Sequence, residues 1–219
     1  MSKGRPVKRP IVRYAQLVDV VINAQRKIGN RRLLLLIGGC SQSGKSTLAN
    51  NLCNDLREKG LECCLIHLDN WIKDIRLRTG KETVRERFDY EAMVNNIRKL
   101  MTGHSIRPPL YDSKTRRAAY DPKGPLFKLR SGGIGIIEGV VALDAEGPRN
   151  IADLKIFVDV RDRIRKERLL QFYTGHKCCS REEAMEIIES REKEEVPIIK
   201  STMNFADYVY SGQEEKRRG

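Results

Sequence analysis

The sequence predicts an α/β fold, a mostly parallel, doubly wound sheet flanked by helices. Two observations carry this. Apolar runs of strand length recur at 33–37, 63–68, 134–138 and 155–160, and stretches with helical spacing lie between them. The first run, LLLLI, leads straight into GCSQSGKST (39–47), and the helix formers Leu48, Ala49 and Leu52 follow. Gly39-x4-Gly44-Lys45-Ser46 has the spacing of a phosphate-binding loop, in the strand-then-helix context that such a loop requires. The fold class is therefore that of the P-loop NTPases. At 219 residues the chain is long enough for one such domain with a real core.

The loop is the first candidate site. Its glycines let the backbone curl until successive N–H groups point inward at an anion, and the helix N-terminus adds partial positive charge there. Gly39, Cys40, Ser41, Gln42, Ser43, Gly44, Lys45, Ser46 and Thr47 are thus expected to hold the phosphates of ATP. Lys45 can reach the β- and γ-phosphates, and the Ser46 hydroxyl can ligate Mg2+. The plain alternative is a glycine-rich turn beside a surface lysine.

The elements follow in order. Residues 1–10 are basic, hold two prolines and are expected to be disordered. Over 12–28, Leu17, Val18, Val21, Ile22 and Ile28 recur at helical spacing, and Gly29-Asn30 supplies a stop. This helix is expected to pack on the outside of the sheet. Of a net charge of +13, residues 1–32 carry a disproportionate share, nine Lys/Arg against Asp19 alone. Such an arm suits nucleic acid or another polyanion; a solubility tail is as good a reading. The expected division is a basic arm and helix at 1–32, a kinase-type domain at 33–211 and a tail at 212–219.

A helix is expected over 45–59, closed by Gly60. Asp69 lies just past the end of the strand at 63–68. In open α/β sheets ligands bind at the carboxyl ends of the strands, so Asp69 is the leading catalytic carboxylate; a turn or capping role is the alternative. Residues 70–88 are polar, without a period, and read as a mobile segment over the crevice. Phe88-Asp89-Tyr90 opens a helix to about Met101, and Gly103 ends it. Residues 105–130 hold Pro108-Pro109, Tyr111-Asp112, Arg116-Arg117, Asp121-Pro122 and Gly124-Pro125, a composition for turns and short hairpin strands. Their seven Lys/Arg against two Asp suit an anionic or hydroxyl-rich ligand, in an insertion placed at about 104–130.

The strand Ile134–Glu138 ends in an acid that is placed near the magnesium, or serves only as a structural carboxylate. After the strand at 155–160 come Arg161, Arg163, Arg165, Lys166 and Arg168. Arginines that close over a transferring phosphoryl group stabilise its charge, so a lid is placed at about 161–180, with Arg165 and Arg168 catalytic. A solvated charged face is the alternative for any one of them. A charged helix over 180–195, a short second helix begun by Pro197 and a last strand at 207–210 complete the chain.

Six cysteines occur, none in a C-x-x-C pair, and His67, His104 and His176 complete no zinc spacing. Free thiols beside a phosphate loop read as cytoplasmic. Cys40, inside the loop, predicts sensitivity to thiol reagents. No apolar run approaches the roughly 18 residues that a membrane span needs, and the N-terminus lacks the apolar core of a signal peptide.

Four stretches, GCSQSGKST, IHLDNW, PLYDSKTRR and IIEGVVAL, fall in an order that resembles the uridine kinase and phosphoribulokinase group; the closing FADYVY resembles its final strand. The resemblance covers roughly 33–211. It implies that Asp69 takes the proton from the acceptor hydroxyl, that Asp89 and Tyr111 hold the substrate, and that Glu138 lies near the metal. It also implies that Arg163, Arg165 or Arg168 belongs to the lid. Uridine kinases carry an aromatic residue and then a histidine after the YD pair; here those positions are Ser113 and Arg116. With the stacking group lost and a cation gained, Arg116 and Arg117 suit an anionic acceptor, or a sugar without a base, better than a pyrimidine nucleoside. The expected activity is ATP-dependent transfer of the γ-phosphoryl group to a small hydroxyl acceptor, a nucleoside, sugar or related alcohol. Phosphorylation of a hydroxyl on nucleic acid and a non-catalytic nucleotide-binding module are the alternatives, and self-association is left open.

Overall fold

The computed structural model describes residues 9–211. The expected disorder of 1–10 and the tail at 212–219 fall almost wholly outside them. Among the described residues the main sheet has six parallel strands. In chain order they are β1 (Ile11–Val12), β2 (Leu33–Gly38), β3 (Cys63–His67), β6 (Ile134–Glu138), β7 (Leu154–Asp159) and β8 (Tyr208–Ser211). They lie in the order β1-β8-β7-β2-β6-β3. A separate antiparallel hairpin is made by β4 (Leu110–Asp112) and β5 (Arg117–Ala119).

All six residues of β2 are buried, because helices cover both faces of a parallel sheet and leave no wet side. Successive side chains leave opposite faces. Leu34 and Leu36 join a core with Trp71, Met93, Ile97, Leu100 and Phe157. Leu33, Leu35 and Ile37 join another with Leu17, Val21, Leu48, Leu52 and Leu56. The first core lies under α3 (Tyr90–Met101) and the second under α1 (Tyr14–Ile28) and α2 (Lys45–Glu58). Each buried Leu or Ile contributes about 1.5–3 kcal/mol, which fixes where the strand ends sit.

The N-terminal helix packs on the sheet as expected, with Leu17, Val18 and Val21 buried and Tyr14 Oη donating to Asp55 Oδ2 at 2.7 Å. Preceding it is a strand that the sequence did not announce: β1 pairs with β8, Ile11 opposite Val209. Two residues are too few to show a period.

Two expectations are corrected, and one helix was not expected. Residues 70–88 are a packed strap, not a mobile segment. They contain short 3-10 turns at Leu68–Trp71 and Ile75–Leu77, and Trp71, Val84 and Phe88 are buried. Backbone bonds from Lys73 N to Arg87 O and from Asp89 N to Trp71 O close the strap on itself. Its apolar anchors are too irregularly spaced to give a period. The charged stretch after 180 and the segment begun by Pro197 form one helix, α6 (Arg181–Ser201). Pro197 removes one helical bond, yet the helix is held on either side of it: Ile188 packs in a cluster with Leu169 and Tyr173, and Ile199 joins the core under α3. Finally, α4 (Glu146–Ile151) follows β6; its Gly and Pro hid it. The stretch expected to be a lid, about 161–180, holds α5 (Asp162–Gln171) and one π-helical turn at Phe172–His176, and α6 follows it.

Candidate active site

The carboxyl ends of β2, β6 and β3 form the floor of a cavity of about 800 Å³. Strap, hairpin and lid enclose it. Between β2 and α2 the loop takes the backbone that its glycines permit: Gly39 has φ 144° and Gly44 φ 99°. A Cβ at Gly39 would stand 2.5 Å from the Val158 carbonyl oxygen, so only glycine fits. Gln42 also has positive φ, 59°. The bond from Leu48 N to Gly44 O opens the helix. The N–H groups of Lys45, Ser46 and Thr47 therefore have no helical acceptor, which makes this end of α2 an anion site. Ser41, Gln42, Lys45 and Ser46 line the cavity; Gly39, Cys40, Ser43, Gly44 and Thr47 shape the loop behind them.

Lys45 is buried and its Nζ donates to the Cys40 carbonyl at 2.9 Å, which curls the side chain back over its own loop. Ser46 Oγ donates to Glu138 Oε1 at 2.9 Å, and His67 Nδ1 lies 2.6 Å from the same oxygen. The register of β3 and β6, which sets His67 opposite Glu138, creates this pair. Burial alone would raise the Glu138 carboxyl; the His67 hydrogen bond and the charges of Lys45 and His67 outweigh it and hold the group below its ordinary range. His67 is raised in turn, chiefly by Glu138.

Asp69 sits in the 3-10 turn that follows β3. Its side chain is exposed to the cavity, which it lines. Burial, and next the charge of Glu138, push its carboxyl above the ordinary range, against the pull of Lys45 and His67. A raised carboxylate facing a phosphate loop is suited to accept a proton.

Other predicted residues are distributed unevenly. Tyr111 and Arg116 line the cavity, with Tyr111 Oη accepting from Arg78 at 3.4 Å. Asp89 caps α3, accepting from Ala92 N at 3.0 Å, and does not line the cavity. Arg117 points away to Asp74 at 3.1 Å. Arg163 lies on the exposed face of α5, 3.4 Å from Glu167. Arg165 is only 2% exposed and is bonded to Glu192, with Asp162 at 3.5 Å. Arg168 also approaches the loop: a Cβ on Gly44 would meet its Nη1 at 3.7 Å.

Sequence reasoning missed Glu195, Arg87 and Arg191, which also line the cavity. Glu195 accepts from Ser41 Oγ at 3.0 Å and from Arg87 Nη1 at 3.3 Å. Its signal lay in the helical spacing from Ala184 and Ile188, which turns Glu195 to the buried face. Cys40 corrects a further expectation. Its thiol is 4% exposed and burial raises it, against the pull of Arg165 and Lys45, so thiol reagents should pass it by. Among the described residues no group of three or more His, Cys, Asp or Glu is arranged to hold a metal ion. A magnesium held mainly by substrate phosphate and water needs only the Ser46 and Glu138 oxygens found here.

Fold and loop define a nucleotide-binding P-loop protein, and its relatives make it an ATP-dependent phosphotransferase that acts on an alcohol group. The chain belongs to the phosphoribulokinase / uridine kinase family, whose sequence profile matches residues 34–216. A uridine kinase from Leuconostoc citreum is 30% identical over 152 residues, 66% of this chain and 70% of that enzyme. Among solved structures, a Bacillus stearothermophilus protein described as a possible uridine kinase is 27% identical, with a TM-score of 0.57 over 89% of this chain and 99% of its own. A Silicibacter sp. TM1040 protein described as a fructose transport system kinase has a TM-score of 0.71 over 90% and 98%; at 24% identity it speaks to the fold alone. Among the described residues no helix is long and apolar enough to cross a membrane.

Proposed function

We propose that the chain transfers the γ-phosphoryl group of ATP to a hydroxyl of a small acceptor that itself carries an anionic group. The single observation behind this is the placement of Asp69: its carboxylate shares one cavity with Lys45 and Ser46 of the phosphate loop. In this reading the loop and the α2 N-terminus grip the triphosphate, and Asp69 takes the proton as the acceptor oxygen attacks the γ-phosphorus in line with the departing ADP oxygen. Lys45 and Arg168 face the charge that develops on the equatorial oxygens. Ser46 and Glu138 would hold a magnesium ion, which would supply charge neutralisation on the phosphates.

The choice of an anionic acceptor rests on the far wall of the cavity. Arg78, Lys114 and Arg116 come from strap and hairpin, and Lys177 and Arg191 from the lid. Burial lowers Lys177 most, Asp112 raises it, and Arg116 and Arg191 lower it again. A bound anion near Lys177, Arg116 and Arg191 would relieve the repulsion among them. The stacking aromatic of uridine kinases is replaced by Ser113, which supports an acceptor without a base.

ADP release should be measured against nucleosides, sugars, sugar phosphates and hydroxy acids. Turnover should be found with an anionic alcohol and abolished in Lys45→Ala; Arg116→Ala should raise that acceptor's KM about tenfold with little change in kcat. Preference for an uncharged nucleoside would remove the anionic reading.

A further inference from the structure

We propose that Glu195 is a positioning residue for phosphoryl transfer: a lid-helix carboxylate that competes with nucleotide phosphate for the Ser41 hydroxyl and so couples occupancy of the loop to closure of the lid. This rests on the kinase reading above. Glu195 is 4% exposed. Its Oε1 accepts from Ser41 Oγ at 3.0 Å, and its Oε2 accepts from Arg87 Nη1 at 3.3 Å and lies 3.7 Å from Arg191 Nη1. Three separate parts of the molecule thus meet on one carboxylate: the phosphate loop, the strap and α6.

Arg87 fastens the other side of the junction. Its Nη2 donates to both oxygens of Glu194, at 2.8 and 3.0 Å, and its Nε donates to the Glu82 carbonyl at 3.2 Å. Arg191 is less encumbered: besides Glu195, its guanidinium lies 5.8 Å from the Tyr173 ring centroid, and it lines the cavity.

A buried carboxylate has to be paired, and Glu195 is. Its position is the unexpected part. The loop exists to hold anions, and a like charge bonded to one of its residues opposes them. A phosphate oxygen that accepts the Ser41 hydrogen bond in place of Glu195 leaves Glu195 facing a second anion. The phosphates then repel Glu195 and attract Arg191, and both forces act on the same stretch of α6. Occupancy of the loop is felt in the lid through that stretch, and the strap follows through Arg87.

The test is ATP binding by calorimetry together with ATP hydrolysis in the absence of acceptor. Glu195→Gln keeps the shape and an acceptor for Ser41 but removes the charge. It is expected to bind ATP about tenfold more tightly, to lose about tenfold in acceptor-dependent kcat, and to hydrolyse ATP several-fold faster without acceptor, since closure no longer excludes water. Glu194→Gln removes a charge from the same arginine without touching the loop, and should lower the melting temperature with no gain in ATP affinity. Should Glu195→Gln melt too low to assay, Glu195→Asp keeps the charge but draws it back from Ser41, and should tighten ATP about threefold. Unchanged or weaker ATP binding in the Glu195 variants, or equal tightening in Glu194→Gln, overturns the proposal. If the unsubstituted protein binds no ATP, it is the kinase reading that fails; if it binds ATP and Glu195→Gln binds no better, that reading stands and the role of Glu195 falls.

Discussion

The floor of the cavity and its roof are held by different forces. Beneath the phosphate loop, Leu34, Leu36, Ile37, Ile136 and Ile137 are fully buried on adjoining strands. Above it, Asp74 holds Arg76 and Arg117, Arg87 holds Glu194 and Glu195, and Arg165 holds Glu192. Close packing of apolar strands fixes positions within fractions of an ångström. Most of these roof pairs set a buried member, Asp74, Glu195 or Arg165, against a more exposed partner, and a buried charge needs such a partner. The division suits a phosphotransferase: the part that aligns the phosphates is fixed by apolar packing, and the part that encloses the acceptor is held by polar bonds for which a bound anion can compete.

The largest expected effect lies in the floor. Asp69→Asn should lower kcat about 10²–10⁴-fold while leaving ATP affinity nearly unchanged. Because the Asp69 carboxyl is raised, mainly by burial and then by Glu138, the base is lost as pH falls through that raised value. The acid limb of kcat/KM should therefore stand above the ordinary carboxylate range and vanish in the Asn variant. A pH profile that keeps the same acid limb in Asp69→Asn would assign the base elsewhere. Stability should not fall with the substitution, since it removes a carboxylate that burial and Glu138 disfavour.

A smaller effect is expected in the roof. Asp74 accepts from Arg76 N and Nε, both at 2.9 Å, from Arg117 Nε at 3.1 Å and from Ala118 N at 3.0 Å. It ties strap to hairpin, and the Arg76 bonds hold its carboxyl well below the usual range. Asp74→Asn should raise the acceptor KM about tenfold and change the KM for ATP little, because Tyr111 and Arg116 ride on that hairpin. Equal changes in both constants would mean that roof and floor are not separable in the way the ion pairs suggest.

The same contrast explains what could be read from the sequence. The floor was legible because its cause is local: five consecutive apolar residues, a glycine spacing and a helix start fix Lys45, Ser46 and their neighbours without reference to the rest of the chain. Glu138 was legible as the acid that ends an apolar run. The roof depends on partners far apart in sequence. Arg87 meets Glu194 across 107 residues and Ser41 meets Glu195 across 154. No composition distinguishes Arg165, buried against Glu192, from Arg168, which leans toward Gly44; both are arginines in one basic run on one helix. Asp89 likewise satisfied a motif by residue type, while its side chain is used as a helix cap. The strap was missed because Trp71, Val84 and Phe88 anchor it from irregular positions, and irregular anchors leave no period.

The smallest effect separates reactivity from position. Cys40 lies within the floor, and its place in the loop suggested that a thiol reagent would block the site. Its burial and raised thiol argue otherwise, since the thiolate is the reactive form. In the roof, Cys178 is exposed, and Cys179 is half-buried and lines the cavity. Brief treatment with a maleimide should label Cys178 first and Cys179 next, and leave Cys40 unmodified by peptide mass mapping. ATP binding should change less than twofold while only the roof thiols are labelled. Acceptor turnover should decline as Cys179 is modified, because the adduct enters the cavity beside Lys177. Early labelling of Cys40 with parallel loss of ATP binding would show that the floor opens readily, and the contrast between a packed floor and a roof held by polar bonds would have to be given up.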